Sequence, residues 1–426
     1  MNVLVIGSGG REHALVLAIK KSKSLDKLFC LPGNPGTKLL AQNIELPLTD
    51  FKSISTFCKQ NRIDLVVIGP EQPLVEGLSD WLRANNINVF GPSSEAARIE
   101  SSKSFAKWLM NKANVPTAKF WEFTAEEYNK AVSFISECDF PIVIKADGLA
   151  AGKGVSICKN FEQALEAVNL LSIDKIFGTA GNKFVIEEFL EGEEASVFAI
   201  TDGESFITLP AAQDHKRIGD NDTGKNTGGM GSYAPAPLVT SELELEIKEK
   251  IFEPIINQLK FEGYPFVGCL YAGLMITKLG VKVVEFNCRF GDPETQVVLP
   301  LLEGDVLQLL YSASIGKLDR DAVRYSGGCA VCVVAASAGY PDNYEKGYEI
   351  SGLETIDPEI IIYHAGTIEK NGKIFSNAGR VLGITSVLKE NDLKKAQEKA
   401  YEAIKKISFR NMYYRKDIAS KAFKHF

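Results

Sequence analysis

No apolar stretch among the 426 residues reaches the length of a membrane span, and the opening segment MNVLVIG carries neither a basic leader nor a cleavage site. Membrane insertion and export are therefore not expected. An excess of positive charge is also missing: 48 Lys plus Arg stand against 54 Asp plus Glu, and a net charge of -6 leaves no footprint for non-specific nucleic-acid binding. Anionic ligands must be held by local groups. The eight cysteines, at 30, 58, 138, 158, 269, 288, 329 and 332, lack the spacing of a disulfide framework. The CxxC of Cys329 and Cys332 has no second Cys/His pair at zinc spacing, so buried strand thiols in a reducing cytoplasm are expected. No solenoid-period repeat and no low-complexity segment interrupts the chain.

What is present is ordinary globular material, 45% hydrophobic and 24% charged, in a length that suggests about three domains at roughly 150 residues each. The runs VLVIG (3–7), KLFCL (27–31), DLVVIG (64–69) and INVFG (87–91) alternate with helical stretches, which predicts a parallel α/β sheet. A helix-forming stretch follows at 93–113. The segments PIVIKADGLAAGKGVSI (141–157) and KFVIEEFLEGEEASVFAI (183–200) read as two strand pairs joined by a helix at about 161–171. A long helix at about 241–260 precedes the strands GCLYAGLMIT and VKVVEFN. From Ser326 the pattern restarts as a separate C-terminal unit.

Five segments can carry chemistry. Gly7, Gly9 and Gly10 sit at a strand-to-helix turn, where bare backbone N–H groups meet a phosphate or where the chain merely turns tightly. The spacing is a poor dinucleotide fingerprint, because Glu12 occupies the third glycine position and the second strand ends in LPGNPG without an acid. The loop ADGLAAGKGV offers Gly148, Gly152, Lys153 and Gly154 after Lys145, without P-loop spacing. In VIEEFLEGEE, Glu187, Glu188, Glu191, Glu193 and Glu194 surround Phe189 and Leu190, as a solvated hairpin or as a slot for a base and its ribose. The polar, glycine-rich stretch Asp214 to Gly231 is too long for a connector and is not expected in a core; His215 within it is a weak base candidate.

The fifth is VVEFNCRFGDPE, Val283 to Glu294. Its period of two puts Glu285, Asn287 and Arg289 on one face. Glu285 and Asn287 lie about 7 Å apart at a strand rise of ~3.3 Å per residue, as hard oxygen donors able to share magnesium with a phosphate. A salt-bridge ladder is the competing reading, and an Asn between Glu and Arg suits it badly.

Together GSGGREHAL, LPGNPGT, GPEQPLVEG, KADGLAAGKGV, AAQDHKRIGDNDTGKNTGGMG and EFNCRFGDPETQ resemble, in order and at similar spacing, the motifs of the phosphoribosylamine–glycine ligase family within the ATP-grasp superfamily. The resemblance implies a multidomain α/β protein with an N-terminal parallel α/β domain at 1–101, an ATP-grasp domain at 102–325 with a lid at about 120–191, and a small C-terminal α+β domain at 326–426. It implies ATP-driven joining of glycine to 5-phosphoribosylamine through an acyl phosphate, with Mg²⁺ or Mn²⁺. By the same resemblance Lys103 and Lys145 contact the ATP phosphates, Gly152, Lys153 and Gly154 close over them, Glu187, Phe189 and Leu190 border the adenine, and Glu194 takes the ribose. Glu285 and Asn287 hold the metal. Arg289, Asp214 and Asp292 grip glycine, with Arg289, Lys145 and Asp214 the catalytic candidates, and Gly9, Gly10 and Arg11 meet the phosphoribosyl group. No nucleic acid or membrane is an expected partner, and a monomer or weak homodimer is expected.

Many superfamily members carry another acidic metal ligand on the preceding strand, yet no Asp or Glu occurs between Tyr264 and Val284. The number of ions stays open. Another ATP-grasp ligase, a dinucleotide-dependent dehydrogenase and a non-catalytic nucleotide-binding module are the competing classes.

Overall fold

The computed structural model describes residues 1–149, 154–174, 176 and 178–426. Gly152 and Lys153 lie outside the described residues.

The first hundred residues form a parallel sheet of β1 (Asn2–Gly7), β2 (Lys27–Pro32), β3 (Gln42–Asn43), β4 (Leu65–Ile68) and β5 (Val89–Phe90), in the order β3-β2-β1-β4-β5. β-branched and leucine residues on both faces of β1 and β4 are buried between helices, which is why these strands read as continuous apolar runs. The predicted helix at 93–113 is instead two, Ser94–Ser101 and Lys103–Lys112. Ser102 between them is extended, and its hydroxyl accepts the Phe105 N–H at 3.2 Å as a cap for the second helix.

β6 (Phe120–Thr124), β7 (Ile142–Ala146), β8 (Val155–Cys158) and β9 (Lys183–Glu188) make a small antiparallel sheet, backed by the helices Tyr128–Ser136 and Phe161–Ser172. β10 (Glu193–Asp202) does not pair with β9, against the strand-pair expectation. It joins β11 (Phe206–Thr208) and, further on, β16 (Val267–Thr277) and β17 (Gly280–Asn287) in a second antiparallel sheet ordered β11-β10-β16-β17. The crossing needs Gly192, where a Cβ would stand 2.2 Å from the Ile276 carbonyl oxygen.

β12 (Gln213–Asp214), the short hairpin of β13 (Arg217–Gly219) and β14 (Thr223–Asn226), and β15 (Gly231–Ala234) occupy the glycine-rich stretch. Its two ends are core elements, with His215 and Tyr233 fully buried, because β12 and β15 enter the C-terminal sheet. After the small pair β18 (Leu302–Gly304) and β19 (Val323–Tyr325), that sheet continues through β20 (Cys329–Ser337), β21 (Ile360–His364) and, past the hairpin β22 (Thr367–Lys370) and β23 (Lys373–Ser376), β24 (Arg380–Leu388), in the order β12-β15-β20-β24-β21 with β25 (Met412–Tyr413) on β20. The span from Ser326 thus completes a sheet begun a hundred residues earlier. All eight cysteines are free, and no helix among the described residues is long and apolar enough to cross a membrane.

Candidate active site

β17 supplies the centre. Its register against β16 shifts at Val284: Leu274 faces Val283, and the next β16 residue, Gly273, already faces Glu285. The bulge turns Glu285 and Asn287 to one partly open face while Phe286 and Cys288 stay buried. Gly273 makes the room, since a Cβ there would lie 3.3 Å from the Glu285 Cγ. Among the described residues no protein hydrogen bond or ion pair engages the side chain of either Glu285 or Asn287. Two uncommitted oxygen donors on one face fit a hard divalent cation.

Three lysines approach the same strand. Lys145, buried near the end of β7, donates to the Val284 carbonyl at 3.2 Å and to Glu187 Oε2 at 3.0 Å. Lys107, only 2% exposed, meets the same carboxylate oxygen at 3.2 Å and donates to Thr117 Oγ1 at 2.8 Å, while Thr117 donates to the Val283 carbonyl at 2.7 Å. Lys145, held by Glu187, therefore ties the small sheet to β17. Among the described residues, Glu187 Oε1 is buried without a partner. Lys103, first in its helix, has its ammonium pulled below the usual lysine range by burial, against the attraction of Glu285. Lys107 is lowered to about 8 by burial, opposed by Glu187.

Past the crossing, Lys216 Nζ bridges Glu194 Oε2 at 2.8 Å and Asp214 Oδ1 at 2.9 Å. Phe189 is exposed, Leu190 half-buried, and the buried Gly154 accepts the Ala146 N–H at 2.8 Å. Behind Asp214 lies Glu294, whose Oε1 accepts from Tyr271 at 3.1 Å and Ser196 at 3.2 Å. Burial and then the Asp214 charge push the Glu294 carboxyl up to about 7.

Arg289 is held by Glu100 at 2.9 Å and Glu71 at 3.2 Å. Burial alone would weaken its charge, but those two carboxylates keep its guanidinium more firmly protonated than usual. Asp292 belongs to a different group. It takes Arg380 NH1 at 3.2 Å and Gln296 Nε2 at 2.8 Å, and a Cβ on Gly9 would lie 3.3 Å from its Oδ2. Among the described residues, no hydrogen bond or ion pair joins Arg289, Asp214 and Asp292 to one another. At the first glycine turn, the Gly9 N–H donates to Glu12 Oε2 at 2.6 Å and Arg11 Nε to Glu12 Oε1 at 2.5 Å, while Arg11 NH1 donates to the Phe290 carbonyl at 3.1 Å. The acid that breaks the dinucleotide spacing caps the helix Gly10–Lys20 from within. Gly10, Gly9 and Arg11 stand beside Asp292 and Gln296 at one end of this region.

Sequence reasoning did not single out Glu71, Glu100, Lys107, Lys216 or Arg380. Glu71 and Lys216 lie inside quoted motifs, and Glu100 and Lys107 in the helix-forming stretch 93–113, but only the fold supplies their partners. Arg380 had no local signal.

A small antiparallel sheet latched by lysines to the edge of a larger one, with a carboxylate strand at the seam, defines an ATP-grasp protein. The description "Phosphoribosylglycinamide synthetase, ATP-grasp (A) domain" matches residues 101–295, the N domain of the same family residues 1–100, and its C domain residues 330–421. A phosphoribosylamine–glycine ligase of Leptospira interrogans is 49% identical over 426 residues, covering 99% of each chain. One from Caldanaerobacter subterraneus is 47% identical over 420 residues, covering 99% of this chain and 100% of its own. The crystal structure of the phosphoribosylamine–glycine ligase of Thermotoga maritima superposes with a TM-score of 0.83 at 37% identity, covering 98% of this chain and 100% of that one. The chain belongs to the phosphoribosylglycinamide synthetase family.

Proposed function

We propose that this protein joins the carboxylate of glycine to the amine of 5-phosphoribosylamine, converting ATP to ADP and phosphate, in purine biosynthesis. The observation that carries the reading is the 49% identity spanning 99% of both chains with a phosphoribosylamine–glycine ligase. A carboxylate is a poor electrophile until phosphorylated. A glycine oxygen attacks the γ-phosphorus and ADP leaves; the amine nitrogen then attacks the carbonyl carbon of glycyl phosphate, and inorganic phosphate leaves.

Lys103 and Lys145 face the phosphates, with Gly152, Lys153 and Gly154 assigned to cover them. Glu187, Phe189 and Leu190 border the base, and Glu194 takes the ribose. Glu285 and Asn287 would hold Mg²⁺ or Mn²⁺, which supplies charge neutralisation at the transferred phosphoryl group. Arg289, steadied by Glu71 and Glu100, orients the glycine carboxylate with Asp214 opposite the amine. Gly9, Gly10, Arg11 and Asp292 meet the phosphoribosyl group, where Asp292's placement beside Arg11 suits it better than the glycine end. The three functional units correspond to 1–101, 102–325 and 326–426, the compartment is the cytoplasm, and the working form is a monomer or weak homodimer.

ADP release is the deciding assay. It should require Mg²⁺, glycine and phosphoribosylamine together, and full activity with either acceptor omitted would refute the assignment.

A further inference from the structure

The segment from Tyr413 to Lys421 lies far from every motif above in sequence, yet it forms the mould for the residues that carry Lys216. Arg415, with no exposed side-chain surface, donates through NH1 to the Arg217 carbonyl at 2.9 Å and to Asp222 Oδ1 at 3.0 Å. Its other nitrogens clasp Asp417 Oδ1 at 2.8 Å and Oδ2 at 2.6 Å. Asp417 in turn accepts the Asn221 N–H at 2.8 Å, Tyr413 donates to the Ile218 carbonyl at 2.8 Å, and Lys421 pairs with Asp222 at 2.7 Å. On the other side of Lys216, the Ala419 N–H donates to His215 Nε2 at 3.0 Å.

His215 is thereby explained. Its Nε2 is occupied as an acceptor, and burial, reinforced by Lys421 and Arg415, lowers the imidazole to about 3, so it stays neutral and serves as a rivet rather than a base. Residues 215, 217 and 218 are all fixed by the chain's end, and the side chain left between them reaches Glu194 and Asp214. An ammonium on a flexible four-carbon stem bridges two carboxylates reliably only if its backbone is held on both sides.

We infer that the Tyr413–Lys421 segment is a positioning strap for the ribose edge of the nucleotide pocket, acting through Arg415 and the Ala419–His215 contact to set Lys216 against Glu194. The inference rests on the proposal that Glu194 faces ATP. Coupling between two sites is reciprocal, so bound nucleotide must also tighten the strap.

The test uses the full chain. Lys216→Met should raise KM for ATP; no change would remove Glu194 and Lys216 from the nucleotide and overturn the strap with them. Given that rise, Arg415→Gln should raise KM for ATP about tenfold, as expected for misplacing one charge-assisted contact, with a smaller rise for glycine, because Asp214 shares the Lys216 ammonium, and KM for phosphoribosylamine changed less than about twofold. Arg415→Lys should recover part of the loss. Lys421→Met, on a partly exposed side chain, should give a smaller shift of the same selectivity and keeps the test open if Arg415→Gln does not fold. In the unaltered protein, amide exchange at Ala419 should slow with a non-hydrolysable ATP analogue, and more than with glycine. Unchanged KM for ATP in the folded strap variants, an equal rise for all three substrates, or exchange at Ala419 indifferent to nucleotide would each overturn the inference.

Discussion

Burial and then the Asp214 charge push the Glu294 carboxyl up to about 7 from an ordinary value near 4.5, so it holds its proton to higher pH than an exposed carboxyl does. The native state then binds more protons than the unfolded chain between those two values. Stability present at lower pH is lost as pH rises through that window. Gln at this position keeps the acceptor for Tyr271 and Ser196 and cannot ionise. Glu294→Gln should match the native protein near pH 4.5 and exceed it at pH 8 by up to ~3 kcal/mol, at ~1.4 kcal/mol per pKa unit. Melting temperatures of the ligand-free proteins at the two pH values measure this, and a constant difference would mean that Glu294 is ionised throughout.

At the scale of elements, the outcome turns on β16 and β17. Gly273→Ala puts a Cβ 3.3 Å from the Glu285 Cγ and 3.4 Å from the Tyr271 ring, so the Glu285 side chain must give way. Turnover should fall by an order of magnitude or more while the melting temperature drops by only a few degrees, the size of a strain near ~1 kcal/mol. Unaltered kcat would show that the carboxylate's place on the strand is not critical. The same strand shows what could be read from sequence. Alternation placed Glu285 and Asn287 on one face because strand period is local, and the parallel sheet at the N-terminus was legible for the same reason. The bulge at Val284 was not, because it depends on β16. Nor was the parting of β9 from β10, where a turn-like FLEG joins two different sheets. His215 and Asp214 have the look of loop residues in sequence because their burial comes from partners outside the segment, β15, Glu294 and Ala419. Glu12 departs from a glycine pattern in the sequence, but its work as a cap depends on the Gly9 N–H contact that only the fold supplies.

For the molecule as a whole, β20 is the strand on which the C-terminal sheet depends. It lies between β15 and β24 and covers the fully buried Met230 and Tyr233. A chain ended after residue 325 would keep the N-terminal sheet, the small sheet and β17, yet leave β15 as an apolar unpaired edge. Such a fragment should aggregate or lose nucleotide affinity, as read by size-exclusion chromatography and equilibrium binding of ATP. A soluble fragment with native affinity would contradict the dependence of the pocket on the shared sheet. At the opposite side, the Asn34 amide donates to the carbonyls of Ser8 and His364, both at 2.8 Å, and His13 Nδ1 accepts the His364 N–H at 2.9 Å. The first glycine turn is thus anchored to β21.

The bond between Arg415 and the Arg217 carbonyl spans 198 residues of chain. At a ribosomal rate of ~5–20 residues per second, about 10–40 s pass between synthesis of its two ends. During that interval β12 to β15 have neither their sheet partner nor their strap. A nascent or prematurely terminated polypeptide would therefore carry the conspicuous lysines and carboxylates of the pocket without the contacts that position them, and the pocket would take its final form only after the segment up to Lys421 had been synthesised.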